Sequence, residues 1–241
     1  MIRSFTTATA AALALSACQF GARAESKDPG PESKRTYQVA AFDMIEVAGP
    51  YEVKVQTGGA AGVSAVGGQN LLDETEVVVD GSTLRIRPKK HNGVRWSWGK
   101  RGKAEFTVTT AMLRGAAIAG SGGISVDKVE GDFKGEVAGS GDLKLSEVKG
   151  GAVEFSIAGS GDVKAAGTAA STKIGIAGSG DVDAAALAAK TASVSIAGSG
   201  NVRANATDTA KVEIVGSGDV EVLGGAKCSV SKAGSGNVRC S

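Results

Sequence analysis

Seven copies of the tripeptide Gly-Ser-Gly punctuate the second half of the chain, at 120–122, 139–141, 159–161, 178–180, 198–200, 216–218 and 234–236. Successive copies lie 19, 20, 19, 20, 18 and 18 residues apart, and a period this steady marks a stacked repeat rather than a conventional globular core. The residue after each triplet is Gly123, Asp142, Asp162, Asp181, Asn201, Asp219 and Asn237 in turn. On either side the pattern alternates. Val153, Phe155 and Ile157 precede one triplet, with Glu154 and Ser156 between them; Ile174/Ile176, Val194/Ile196 and Val212/Ile214 repeat the motif. Val163/Ala165, Val182/Ala184, Val202/Ala204 and Val220/Val222 follow the triplets in the same way.

Alternation with period two means strands with one buried face. Each repeat therefore reads as a strand, a Gly-Ser-Gly turn, a second strand and a looser return. A single repeat has nothing against which to bury its apolar face, so copies must stack, with equivalent strands pairing from rung to rung. Seven rungs at the ordinary interstrand spacing make a rod about 30 Å long. A corner that recurs in every rung needs positive φ or close backbone approach, and glycine accepts both cheaply. Asp or Asn beside it suits a turn, because its short side chain bonds nearby backbone N–H groups. The expected fold is all-β: a right-handed parallel β-helix, or solenoid, with rungs of about 19 residues, the hand being the general preference of parallel crossovers. A left-handed hexapeptide helix would show apolar residues at every sixth position, which are absent. A calcium-binding nonapeptide roll would place glycine turns every nine residues, and these turns are twice as far apart.

Composition agrees with this. Glycine numbers 36 of 241 residues while aromatics make up only 4%, so turns are many and interior side chains small. The net charge of +2 excludes whole-molecule binding of polyanions, and any electrostatic recognition must be local.

The first residues have the form of an export signal. Arg3 precedes a short apolar run from Thr6 to Leu15, too short to span a bilayer. Leu15-Ser16-Ala17-Cys18 resembles a bacterial lipobox, which implies cleavage before Cys18 and lipidation of its thiol; Ala22-Arg23-Ala24 offers the competing reading of ordinary cleavage after Ala24. Residues 1–17 are thus expected to be a signal peptide, 18–36 a flexible polar tether containing Pro29 and Pro31, and 37–241 one domain. Within that domain, 37–114 carries strands without the repeat and 115–241 carries the repeats. With Cys18 removed or lipidated, Cys228 and Cys240 remain as an expected disulfide pair for an oxidising compartment, two free, partly buried thiols being the plain alternative.

Between 37 and 114 the strand signals are Phe42–Val47, Tyr51–Val55 after Gly49-Pro50, Val63–Val66, Glu76–Val79, Thr83–Arg87 after Asp80-Gly81, and Ala104–Thr109. They open the same solenoid or cap its end. Phe42-x-x-Ile45-x-Val47-x-Gly49, then Val53-x-Val55, then Gly81-x-x-Leu84-x-Ile86 and the Gly-Ser-Gly-Asp series together resemble the auto-transporter adhesin head domain, or GIN domain, over roughly residues 38–240. That resemblance implies a right-handed β-helix, export to the cell envelope and an adhesion role, and it supplies no catalytic residues.

Binding chemistry concentrates in one stretch. Lys89, Lys90, Arg95, Trp96, Trp98, Lys100, Arg101 and Lys103 fall within fifteen residues that hold both tryptophans and the only histidine, His91. Cations interleaved with indole rings suit anionic glycans or an anionic membrane surface, while a solvated hairpin tip covering one end of the solenoid is the plain alternative. The Asp/Asn column reads as turn capping, and a calcium ion between rungs is the remote alternative. No acid, base and nucleophile converge in the sequence, so no catalytic residues, cofactor or metal are assigned. The expected function is an exported, non-catalytic binding or adhesion module. Its expected partners are the membrane through a lipid anchor, an anionic glycan or envelope protein, and a second copy of the chain, with nucleic acid excluded by export. A self-associating envelope scaffold and, more distantly, a polysaccharide-active enzyme are the alternatives.

Cys18→Ser is expected to release the protein from the membrane fraction and leave a slower-migrating, unlipidated form. A mature N-terminus at Glu25 with no lipid, read by mass spectrometry, overturns the lipobox reading.

Overall fold

Residues 28–89 and 103–241 are described in a computed structural model, with 71% of them in strands and 2% in a helix. In chain order the elements are β1 (Glu32–Tyr37), β2 (Met44–Ala48), β3 (Tyr51–Thr57), β4 (Gly62–Gly68), α1 (Gln69–Asp73), β5 (Thr75–Asp80), β6 (Thr83–Pro88) and β7 (Ala104–Thr110). There follow β8 (Gly115–Gly120), β9 (Gly123–Glu130), β10 (Phe133–Gly139), β11 (Asp142–Lys149), β12 (Ala152–Gly159), β13 (Val163–Gly178), β14 (Val182–Gly198), β15 (Val202–Gly216), β16 (Val220–Leu223), β17 (Lys227–Ala233) and β18 (Val238–Cys240).

These strands stack as two ladders around one core, a solenoid whose Gly-Ser-Gly part has about 7 turns of ~19 residues, preceded in the stack by the β6–β7 and β2–β3 rungs. The first face runs β6, β2, β8, β10, β12, the second halves of β13, β14 and β15, then β17, all parallel. The second face runs β7, β3, β9, β11, the first halves of β13, β14 and β15, then β16 and β18, also parallel. The period-two pattern places one residue type in the same place on every rung. Ile86, Val47, Ile118, Val137, Ile157, Ile176, Ile196 and Ile214 stand in register on the first face, and all are buried. Phe106, Val53, Ile124, Leu143, Val163, Val182, Val202 and Val220 do the same on the second. Each such burial contributes about 1.5–3 kcal/mol. Size is matched between rungs: Gly135 stands in register with Phe155, and a Cβ on Gly135 would meet the Phe155 ring at 2.9 Å.

The two glycines of a corner serve different ends. Gly159 has φ +133, a backbone region that side chains strongly disfavour. Gly161 has no positive φ; instead its Cβ would lie 2.3 Å from the Gly141 carbonyl oxygen of the preceding rung. Between them the Ser160 N–H donates to the Gly139 carbonyl at 2.8 Å, so the ladder of backbone hydrogen bonds passes through the corner without a gap. The expected looser return is corrected for the middle rungs. β13, β14 and β15 continue through it, because the bend is absorbed by local register shifts within a paired strand rather than by a loop.

The N-terminal strands both open the solenoid and cap it, in an order that differs from the chain. The β2–β3 rung pairs with β8–β9 on one side and with β6–β7 on the other, so residues 44–57 are enclosed by two rungs that come later in sequence. Beyond β7 the pairing turns antiparallel through β4 and β1, and beyond β6 through β5. The short helix α1, absent from the sequence-based expectation, joins β4 to β5 and buries Leu71 and Leu72 at the end of the core. There Tyr51 meets Phe106 edge-on, with ring centroids 5.5 Å apart, and shares a buried hydrogen bond of 3.0 Å with Thr75. Burial raises the Tyr51 phenol pKa, and the Thr75 bond offsets part of that rise. The tether expected over 18–36 is likewise corrected at its end: β1 begins at Glu32. It satisfies the outer edge of β4, places Tyr37 over Phe106 and pairs Arg35 with Asp73.

At the other end the last rung, β17 and β18, is joined by a Cys228–Cys240 disulfide with Cα atoms 6.6 Å apart. The two cysteines stand in register with Ala210 and Val222, so the bond links the two faces across the end of the core. A closed loop of this size stabilises by about 2–4 kcal/mol.

Gly161→Val is expected to cost about 1–3 kcal/mol by overpacking, seen as a lowered melting temperature. Gly175→Ala is expected to be tolerated, because an added Cβ meets nothing nearer than the Phe155 carbonyl oxygen at 4.0 Å. Equal melting curves for the two variants would show that the corner does not set rung contact.

Candidate functional site

The glycine corners form one edge of the rod, and this edge gathers the chemistry. The corner joins β2 to β3 at Gly49-Pro50 and β8 to β9 at Ser121-Gly122. In the rung outside these, β6 and β7 are joined at the same place by residues 89–103. The basic stretch is therefore an insertion at the corner of the outermost rung, on the capped end. Its described ends are Lys89 and Lys103, both exposed; the Lys89 N–H donates to the Glu74 carbonyl at 2.8 Å. Lys90, Arg95, Trp96, Trp98, Lys100 and Arg101 lie outside the described residues, as does Cys18.

Below that insertion the corner exposes one serine per rung, from Ser121 to Ser235, beside the Asp/Asn column. The column does more than cap its own turns. The Asp162 carboxylate accepts the Asp181 N–H at 3.1 Å, and the Asp181 carboxylate accepts both the N–H and the side-chain amide of Asn201, at 2.8 and 3.0 Å. Asn201 Oδ1 accepts the Asp219 N–H at 3.2 Å, and the Asp219 carboxylate accepts the Asn237 N–H and amide, at 2.8 and 3.2 Å. Each side chain thus bonds the next rung. Interleaving Asn with Asp inserts an amide donor where two carboxylates would repel. Sequence reasoning assigned these residues to their own turns; the signal for the inter-rung role was the Asn substitutions at Asn201 and Asn237.

Charges on the flat faces neutralise one another. Lys173 holds Glu154 at 2.8 Å and thereby lowers its carboxyl pKa, Lys211 pairs with Glu213 at 2.7 Å, and Arg203 bridges Glu221 at 3.0 Å and Asp183 at 3.8 Å. These exposed pairs contribute little to stability, but each places opposite charges side by side on the strands. Among the described residues no group of three or more His, Cys, Asp or Glu is placed to hold a metal ion, and no helix is long and apolar enough to cross a membrane. The arrangement offers recognition chemistry, with hydroxyl, amide and carboxylate groups repeating about every 4.8 Å along one edge.

Asp181→Ala is expected to cost about 1–2 kcal/mol in denaturant unfolding, because two donors of Asn201 lose their acceptor. Asp142→Ala serves as the contrast, since the Asp142 side chain has no partner among the described residues; equal losses would rule out the inter-rung bond as the cause.

The solved structures it resembles share the whole architecture. A putative adhesin from Bacteroides fragilis superposes with a TM-score of 0.80 at 24% identity, covering 90% of this chain and 100% of that one. A putative adhesin from Parabacteroides merdae gives 0.69 at 20% identity, with 89% and 98% covered. A putative lipid binding protein from Parabacteroides distasonis gives 0.66 at 24% identity, with 88% and 97% covered. A comparison with curated proteins finds no match. The family model described as putative auto-transporter adhesin, head GIN domain, matches residues 41–226, from the strand that opens the core to the turn before the last rung, and the chain belongs to that family.

Proposed function

We propose that this protein is an exported cell-envelope module for non-catalytic adhesion, held to a membrane through Cys18, and that it presents its basic stretch to anionic glycans or anionic envelope surfaces. The observation that carries the reading is the position of that stretch. Residues 89–103 are inserted at the corner of the outermost rung, at the capped end of a rod on whose faces Lys173 is paired with Glu154 and Lys211 with Glu213. Membership of a family of adhesin heads, and solved relatives described as putative adhesins, support adhesion as the kind of work done. β1, the first described strand after Cys18, lies on that same capped end, so an anchor at Cys18 and the basic stretch would be presented to the same surface. The cations steer an anionic partner, and Trp96 and Trp98 add contact area at little cost in side-chain entropy.

Titration of the mature domain with anionic polysaccharide and with anionic liposomes, followed by tryptophan fluorescence, tests this. Binding is expected to weaken as salt rises past the physiological range and to drop at least tenfold when Lys100, Arg101 and Lys103 are all changed to Ser. Binding that survives both conditions moves the site to a lateral face of the solenoid. No binding by either protein favours the self-associating scaffold.

A further inference from the structure

We propose that the C-terminal end of the solenoid is a docking edge for an extended acidic segment of a partner protein, which adds a further rung by strand pairing. The two ends of the rod are built differently. The N-terminal end is closed by antiparallel strands and by α1, whereas among the described residues β17 pairs only with β15 and β18 only with β16. The outer backbone groups of both last strands are therefore open, and an open edge is the standard receptor for an added strand.

The side chains of this rung state which strand fits. After Glu221 the chain has no Asp or Glu, yet it has Lys227, Lys232 and Arg239. Lys227 and Arg239 are exposed and have no carboxylate partner among the described residues. Lys232 stands in register with Ile214, at the end of the isoleucine ladder, and its ammonium group donates to the Gly236 carbonyl at 2.8 Å. Val230, in register with buried Val212, is 47% exposed, with no further rung over it among the described residues.

The outward columns carry the same message. On the second face the rungs alternate as Asp181 with Asp183, Asn201 with Arg203, Asp219 with Glu221, and Asn237 with Arg239. Within the rod Arg203 is flanked by Asp183 and Glu221, and Asn201 Oδ1 accepts the N–H of Asp219 above it. Arg239 and Asn237 repeat that rung, with Glu221 and Asp219 beneath and no strand above among the described residues. A strand with carboxylates at these two registers would complete the series, donating an N–H to Asn237 Oδ1 and pairing with Arg239. A second copy meeting this edge end to end would oppose cation to cation, so the like-charged end disfavours self-stacking while it accepts an acidic strand.

The test uses the full mature chain and a labelled synthetic peptide with the sequence of residues 181–197, which carries Asp181 and Asp183 at the required spacing. Fluorescence anisotropy is expected to show saturable binding that weakens with salt and falls at least tenfold with Arg239→Glu or Asn237→Ala. A scrambled peptide of the same composition is expected to bind at least tenfold more weakly than the ordered one. Circular dichroism of both variants confirms that the solenoid is intact. Equal binding of ordered and scrambled peptides reduces the end to a non-specific cationic patch and overturns the proposal, as does no binding at all. A dimer in sedimentation velocity that Arg239→Glu abolishes would assign the edge to a second copy instead, and equally overturns it.

Discussion

Everything in this molecule depends on how closely one glycine corner approaches the next. The carbonyl of Gly141 occupies the space where Gly161 would carry a Cβ, and the same contact recurs from Gly122 to Gly236. That approach keeps the hydrogen-bond ladder unbroken around the bend, and the bend brings the two faces into one core. Isoleucine and valine ladders supply the larger share of the stabilising energy, but they come into register only because the corners do. The Asp/Asn column is a second consequence, since short side chains reach the neighbouring rung only when the backbones at the corner are this close.

The repeating part of the fold was legible from sequence for the same reason. A fixed corner imposes a fixed period, and the strand assignments at Val153–Ile157 or Val194–Ile196 follow from alternation alone. Less was legible where the period is lost. Nothing in the alternation of Ile45 and Val47 says that their rung is covered by Leu84 and Ile86, because non-local pairing leaves no spacing to read. The helix at Gln69–Asp73 is too short to show a helical period, and β1 was hidden by the polar, proline-bearing stretch around it. Of the candidate site, composition picked out the basic stretch between 89 and 103, while its place at the corner of the outermost rung required the register of β6 and β7. Asn201 and Asn237 hinted at the inter-rung role of Asp181 and Asp219, but the bonds themselves required the neighbouring rungs in place.

The electrostatic design follows from stacking as well. Any residue type repeated in register stands near its own kind, so a column of like charges would oppose assembly. The chain answers by alternation: Glu154 against Lys173, Asp183 against Arg203 against Glu221. The alternation is partial: Lys144 stands in register with Lys164, and neither has a carboxylate partner among the described residues.

The enclosed position of residues 44–57 has a consequence for the order of assembly. Val53 has no partner until Phe106 and Ile124 exist, so the first rung written in the chain cannot be the first to settle. Three rungs must close together as a nucleus that spans long loops, whereas each later rung adds to a finished template with a short reach back. A chain that emerges from its N-terminus therefore has to carry an unclosed apolar segment past Ile124 before growth becomes local, and during that interval it is most exposed to mispairing and most in need of protection.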